Sequence, residues 1–414
     1  MSFQQGLSGL NAAARNLDVI GNNVANSNTV GAKASRAEFA DIYATSLYGA
    51  GTHYNGIGVT VAAITQQFTQ GDIATTNNAL DMAINGRGFF RMSNNGEVTY
   101  TRNGQFQLDK DGYLVNAQGG RLTGYPADAN GKVTTGTPVE LRLQTGDVAP
   151  KMTSSASITA NLDTRAKAPD STKTPFSIAD GASYNGATSL AVFDSQGTEH
   201  TVAVYFRKSD TVANQWNAYV AADGTQLDGP GGPGSPFATF EFDADGKLTS
   251  TSPTGFPVTV PVSNGAGALT VPFDLSKITQ FGSAFSVSQL SQDGYAAGRL
   301  SGFSISSDGT VLSRYTNGTT LAQGRVVLAN FTNPQGLQPL GGNQWAETAD
   351  SGAPMSGTPG AGSLGVIQSG AVEQSNVDLT AELVNMITAQ RVYQANAQTI
   401  RTQDQVMQTI VNLR

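Results

Sequence analysis

Cysteine is absent from the 414 residues, which removes disulfides, thiolate nucleophiles and zinc-thiolate centres together. Charge is scarce too. Asp, Glu, Lys and Arg make up 13% of the chain, about half the usual share, and Thr, Ser, Asn and Gln fill the gap. Surfaces of that kind desolvate against neighbours at modest cost. The net charge of -7, with no cluster of Lys or Arg, argues against a nucleic-acid or anionic-membrane partner. No apolar run approaches the ~20 residues that span a bilayer, so no membrane insertion is expected. The N-terminus lacks the basic n-region and continuous apolar h-region of a Sec-type signal. Export would need another route.

Catalytic signatures are equally sparse. His53 and His200 are the only histidines, too few for a histidine-rich metal site. The runs Asp109-Lys110-Asp111-Gly112 and Asp243-Ala244-Asp245-Gly246 open like calcium loops, but neither continues to the glycine at position six and the glutamate at position twelve. Asp-Gly turns between apolar strands account for both. GxSxG, P-loop and HExxH patterns are missing, as is a G-x-G-x-x-G following a strand. Carboxylates such as Asp72 and Asp81 are not placed across a cleft by sequence alone. The expectation is a protein that is not an enzyme and carries no cofactor or metal.

What is present is glycine, 48 residues of it, and enough hydrophobic residues, 39%, for real cores. From Asp72 the sequence reads as a β-meander, with turns expected at Asn95-Gly96, Asn103-Gly104, Asp111-Gly112 and Gly119-Gly120. The texture returns from Tyr295 to about Gln344, with turns at Asp308-Gly309 and Asn317-Gly318, so the two stretches suit halves of one domain. Between them lies another β-rich block, with strands expected at Leu190 to Phe193, Thr201 to Phe206, Trp216 to Val220 and Phe237 to Phe242. Its proline-glycine stretch from Gly229 reads as a loop.

The ends differ. Phe3, Leu7, Leu10, Ala14, Leu17, Gly21 and Val24 recur at spacings of four and three, a heptad stripe. The pattern stops in an Asn- and Ser-rich stretch that ends at Gly31. Near the C-terminus Leu379, Leu383, Met386, Tyr393, Ala397, Ile400, Met407 and Val411 follow the same rhythm, interrupted by Gln390 and Asp404. Ser375, Asn376 and Asp378 offer N-cap oxygens there, and Glu382 places negative charge in an early turn. Gln390, Gln394, Gln398, Arg401, Gln405, Gln408 and Asn412 form a nearly uncharged polar stripe on the same helix. A soluble surface helix ordinarily mixes Glu and Lys there; amides suit a wet lumen or polar contacts with neighbouring helices.

The expected fold class is α+β, mainly-β domains nested between terminal helices that pair as a coiled-coil-like domain. Residues 1–31 and 370–414 form that helical domain. Residues 32–71 connect, with a short helix expected over Ser35 to Ser46. Residues 72–145 and 293–365 form the split β domain, and 146–292 the inserted one.

Several motifs resemble those of bacterial flagellar rod and hook proteins. They include Leu7-Ser8-Gly9-Leu10; Asn22, Asn23, Asn26, Ser27, Asn28 and Thr29; Ser375, Asn376, Val377 and Asp378; and the run from Gln390 to Asn396. The likeness continues through Gly86 to Phe90, Thr99 to Gly104 and Leu328 to Leu337, so it covers both ends and both β stretches. The block over 146–292 resembles the hook branch of that family, because the distal rod protein lacks such an insertion.

The resemblance implies a structural subunit that polymerises helically into a flexible curved tube, a universal joint passing motor torque from rod to filament. It implies an extracellular place in the flagellum, reached without a cleaved signal peptide. The implied partners are other copies of the chain, rod proteins, the hook cap, hook-filament junction proteins and the flagellar type III export apparatus. A distal rod subunit with an unusual insertion is the alternative, and a secreted β-rich adhesin or carbohydrate-active protein a third. Because neither terminal helix has partners enough to bury its stripe alone, both are expected to order on assembly. The glycine-rich segments 49–58 and 351–365 are the expected hinges.

Overall fold

In the computed structural model, residues 2–43, 56–128, 131–252, 256–262 and 264–412 are described. The two helical patterns form α1, Ser2–Ala25, and α2, Leu379–Asn412. At 1.5 Å per residue they are about 36 and 51 Å long. Asp378 caps α2: its Oδ1 accepts from the backbone N–H groups of Thr380 and Ala381. Asn376, also a candidate for that role, is spent elsewhere.

The short helix expected over Ser35 to Ser46 is not there. Ser35–Tyr43 is a strand, β1, paired antiparallel with β2, Gly56–Gln66; residues 44–46 lie outside the described ones, as do 49–55 of the first expected hinge. The ribbon wins because Val59, Val61 and Ile64 in β2 are β-branched and give the first strand a partner that local periodicity does not reveal.

The chain divides into two units, residues 1–145 with 302–314 and 320–414, and residues 146–301 with 315–319. In the first, the early and late β stretches hydrogen-bond in one sheet. Phe89–Asn94 pairs with Leu328–Asn330, Glu97–Thr101 with Gln344–Ala346, and Arg121–Pro126 with Thr320–Val326. Met82, Ile84, Phe90, Leu122 and Leu328 are fully buried beneath it, and Phe89, Tyr100, Phe331 and Trp345 make a second, aromatic core.

Asn103-Gly104 is not a hairpin turn. Glu97–Thr101 lies between Phe89–Asn94 and the late strand Gln344–Ala346, and Gln107–Leu108, beyond the expected turn, pairs with Leu114–Val115 instead. Gly104 serves close approach: a Cβ there would lie 1.5 Å from the Met82 carbonyl oxygen. Gly96, Gly112 and Gly119 do occupy the left-handed region that turns require.

The second unit is a pair of sheets over one core. Its five-stranded sheet is built around Ala156–Asp163 and its six-stranded sheet around Glu199–Lys208 and Gln215–Ala222. Trp216, Phe206, Phe240, Val258 and Val271 fill the space between them. The indole N–H of Trp216 donates to Gln280 Oε1 at 3.0 Å, so the largest core side chain leaves no polar atom unpaired.

Candidate assembly surface

Both terminal helices spring from one buried ionic cluster. Glu373 ends a short strand, Ala371–Glu373, six residues before α2. Its Oε1 accepts from Lys33 Nζ at 2.6 Å and from the Gly71 amide at 3.0 Å, and its Oε2 from Arg102 Nη1 at 2.9 Å. All three side chains are almost wholly buried. Lys33 also donates to the Thr69 carbonyl and Arg102 to that of Gly86. Burial pushes the pKa of both cations down, and the shared carboxylate opposes that fall. The Gly31 N–H donates to the Glu373 carbonyl. Gly31 sits at φ 72° against Asn103, where a Cβ would approach within 2.5 Å of backbone.

The motif residues close the same junction. Asn23 exchanges two hydrogen bonds with the backbone of Ser35, both at 2.8 Å, imitating a strand partner for β1. Asn376 Oδ1 accepts from the Ala34 N–H while its Nδ2 donates to Gln67 and Thr69. Asn26 Nδ2 donates to both oxygens of Asn22, the Ser27 hydroxyl to the Val24 carbonyl, and the Thr29 hydroxyl to Asn26 Oδ1. The Asn22 and Val24 carbonyls, which also accept the Asn26 and Ser27 N–H groups, are thereby each bonded twice at the end of α1. Asn28 is exposed, Val377 half-buried, and the Ser375 hydroxyl accepts from the Val377 N–H.

The helices pair through small residues. A Cβ on Gly6 would stand 3.2 Å from Ile400, and one on Gly9 2.8 Å from Asn396, so the two helices run closely side by side in opposite directions. The buried side of α1 is Gly6, Ala12, Ala13, Val19, Ile20 and Asn23. The larger stripe remains outside: Phe3 is 51% and Leu7 44% exposed, with Leu10, Leu17 and Val24 partly covered. Choosing the stripe by bulk picked the face one residue round from the seam. Gly6, Gly9, Ala13, Asn16, Ile20 and Asn23 carry a heptad of their own, and that is the signal for the inward side.

On α2, Ala389 is buried and Met386, Asn396 and Ile400 are partly so. Leu379, Leu383 and Tyr393 stay exposed, as do Met407 and Val411 at 60% and 70%. Gln390, Gln394, Gln398, Arg401, Gln405 and Gln408 are exposed on the same helix, and Asn412 stands in its last turn. Lys33, Arg102 and Glu373 escaped sequence reasoning because their grouping is non-local. Glu373 after apolar Ala371 and Val372 was the one local hint.

Elsewhere, the turn carboxylates are engaged by backbone. Asp109 Oδ1 accepts from the Asp111 and Tyr113 amides, and Asp243 Oδ1 from those of Asp245 and Lys247. His200 is buried between two carboxylates: Nδ1 lies 2.7 Å from Asp223 and Nε2 3.5 Å from Asp194. The hydrogen bond to Asp223 raises its pKa, burial opposes this, and Asp194 adds to the rise. Burial works against ionisation of Asp194, yet donors from Asn264, Thr198 and Gln196 hold it at about 2. His53 lies outside the described residues.

A helical hairpin with uncovered apolar faces, rooted in a β body without a catalytic constellation among the described residues, defines a structural subunit that assembles with others. The comparisons give the particular family. Residues 3–33 match the model described as Flagella basal body rod protein, 83–161 the Flagellar hook protein FlgE/F/G D1 domain, 161–295 the Flagellar basal body protein FlaE D2 domain, and 368–413 the Flagellar basal body rod FlgEFG protein C-terminal. The Flagellar hook protein FlgE of Salmonella typhimurium is 44% identical over 420 residues, covering all of both chains, and that of Escherichia coli K12 is 44% identical over 418. The Borreliella burgdorferi hook protein is 34% identical over the whole of this chain and 99% of its own. The crystal structure of Helicobacter pylori FlgE2 superposes with a TM-score of 0.52 at 15% identity, covering 71% of this chain and 99% of that one, a likeness of fold. The chain belongs to the flagellar hook protein FlgE family. It is a structural protein of the hook, not an enzyme, and the distal rod alternative is not favoured.

Proposed function

We propose that the chain polymerises helically into a flexible curved tube, the universal joint that carries motor torque from rod to filament. The observation that carries this reading is the terminal hairpin. It buries its small residues internally and leaves Phe3, Leu7, Leu379, Leu383, Met407 and Val411 exposed to solvent. Apolar exposure of that kind along a helix pair suits coverage by partners. Phe3, Leu7, Leu10, Leu17, Val24, Leu379, Leu383, Met386, Tyr393, Ile400, Met407 and Val411 are the residues assigned to subunit assembly, and the Gln face from Gln390 to Asn412 is assigned to the lumen.

In this reading the other partners are rod proteins at one end, and the hook cap and hook-filament junction proteins at the other. The chain travels through the flagellar type III export apparatus without a cleaved signal peptide. Of the two hinge assignments, residues 56–58 of the first lie at the start of β2, and the second, 351–365, includes the strand Met355–Gly357. Purified protein concentrated at neutral pH is expected to form curved tubes by electron microscopy, and cells lacking it to lose the curved segment outside the envelope. Straight rods confined within the envelope would point instead to a rod subunit.

A further inference from the structure

The β1–β2 ribbon has little of its own to hold it. It is two-stranded, a form that is marginal in water by itself, and its Phe39, Ile42 and Ile64 are exposed. The support it draws from α1 comes from nearby in sequence. The Ser8 hydroxyl accepts from the Val59 N–H, and Asn23 binds Ser35 at the root.

At that root the ladder is interrupted. Ser35 stands opposite Gln66 and, by the alternation of an antiparallel pair, turns its N–H and C=O away from β2, where Asn23 takes both. One residue further out, the Gln67 N–H donates to the Ala34 carbonyl at 2.8 Å. The return bond, from the Ala34 N–H to the Gln67 carbonyl, would complete the rung. In its place lies the Asn376 carboxamide: Oδ1 accepts from Ala34 at 2.7 Å, and Nδ2 donates to Gln67 at 2.7 Å. A planar group with an acceptor at one corner and donors at the other stands in for a peptide unit set between the strands. Nδ2 also donates to the Thr69 hydroxyl, and the Thr69 carbonyl in turn accepts from Lys33.

Asn23 and Ser35 are 12 positions apart, whereas Asn376 lies 342 beyond Ala34 and 309 beyond Gln67. We infer that the ribbon is a folding checkpoint: its root closes only when the C-terminal stretch of the chain has come back to it, and the Asn376 amide is the piece that completes the rung. Hairpins are ordinarily local structures that form ahead of distant contacts. Here the distant contact is built into the hairpin, so the ribbon and the C-terminal root order together and open together. A subunit whose C-terminal stretch is undocked has no ordered ribbon.

The test is amide hydrogen exchange on the full-length protein, free and sedimented as polymer. The N–H groups of Gly31 and Gly71 both end on Glu373 and report its return. In the wild type the amides of 34–43 and 56–67 are expected to be protected in the same state as Gly31 and Gly71, and open in any state where those are open. Asn376→Ala is expected to speed exchange across the ribbon by about tenfold or more while Gly31 and Gly71 keep their protection. Asn376→Asp retains an acceptor for Ala34 but loses the donors to Gln67 and Thr69, so it should fall between. Asp378→Ala, which uncaps α2 and leaves Asn376 in place, should leave the ribbon as in the wild type. Each variant is also added, isotope-labelled, as a minor component to wild-type polymer, so that its ribbon is read even if it assembles poorly alone. A wild-type ribbon protected where Gly31 and Gly71 exchange freely would overturn the checkpoint. So would a ribbon in Asn376→Ala as protected as the wild type's, or a loosening of Gly31 and Gly71 equal to that of the ribbon. The hook reading is judged separately, by whether tubes form.

Discussion

Glu373 serves two cations and one amide from a site with no solvent, and its substitution has a defined sign. In Glu373→Gln the shape persists but Lys33 and Arg102 face a neutral amide, leaving buried charge uncompensated. The expected loss is about 3–5 kcal/mol, read from urea unfolding. At Gly104, alanine would drive a methyl into the Met82 carbonyl, so Gly104→Ala is expected to destabilise the first unit by more than the ordinary gain from removing a glycine. His200 gives a pH signature to the second unit. Its pKa is raised in the folded protein, so its contribution is complete below the ordinary histidine value of about 6.5 and fades as pH rises through the folded value. Thermal unfolding of that unit should therefore occur at a higher temperature near pH 6 than near pH 9, with His200→Asn shrinking the difference. Asp194, already at about 2, adds a change only in strong acid.

Among the elements, helices were the most legible, because three and a half residues per hydrophobic repeat is a local property. Their ends were legible too: Asp378 caps α2, and Asp378→Ala is expected to cost about 1 kcal/mol of stability, measured in the assembled tube by thermal melting of helical circular dichroism. Which face of α1 turns inward was not legible from bulk, since Gly6, Gly9 and Ala13 admit a close neighbour by being small. The β1–β2 ribbon was misread for a different reason. Its strands are joined through residues 44–55, and pairing across such a distance leaves little trace in either strand alone. The same holds for Glu97–Thr101, whose partner Gln344–Ala346 lies far along the chain. Asn22, Asn23 and Asn376 were found as motif residues, but their work as makeshift strand and cap partners needs coordinates to see.

For the whole molecule, the sheet shared by early and late stretches shows why resemblance at both termini came with resemblance at 83–161 and 328–337: the pieces adjoin in space. Two units with separate cores should unfold in two calorimetric transitions, the second unit alone showing the pH response of His200. Limited proteolysis of dilute monomer is expected to remove much of α1 and α2, whose apolar sides are uncovered. The ionic cluster sets the stopping points, so the resistant core should keep Lys33 and Glu373.

That cluster also decides where tension goes. Lys33 and Glu373 are 340 positions apart in sequence yet in direct contact. A pull on α1 against α2 is met across a few ångströms of salt bridge and paired strand, to which the intervening chain lends only its early part, Thr69, Gly71, the strand Ile73–Thr75 and Arg102. The second unit, whose residues make none of these bonds, can be lengthened, exchanged or reshaped without altering how the two helices bear on one another.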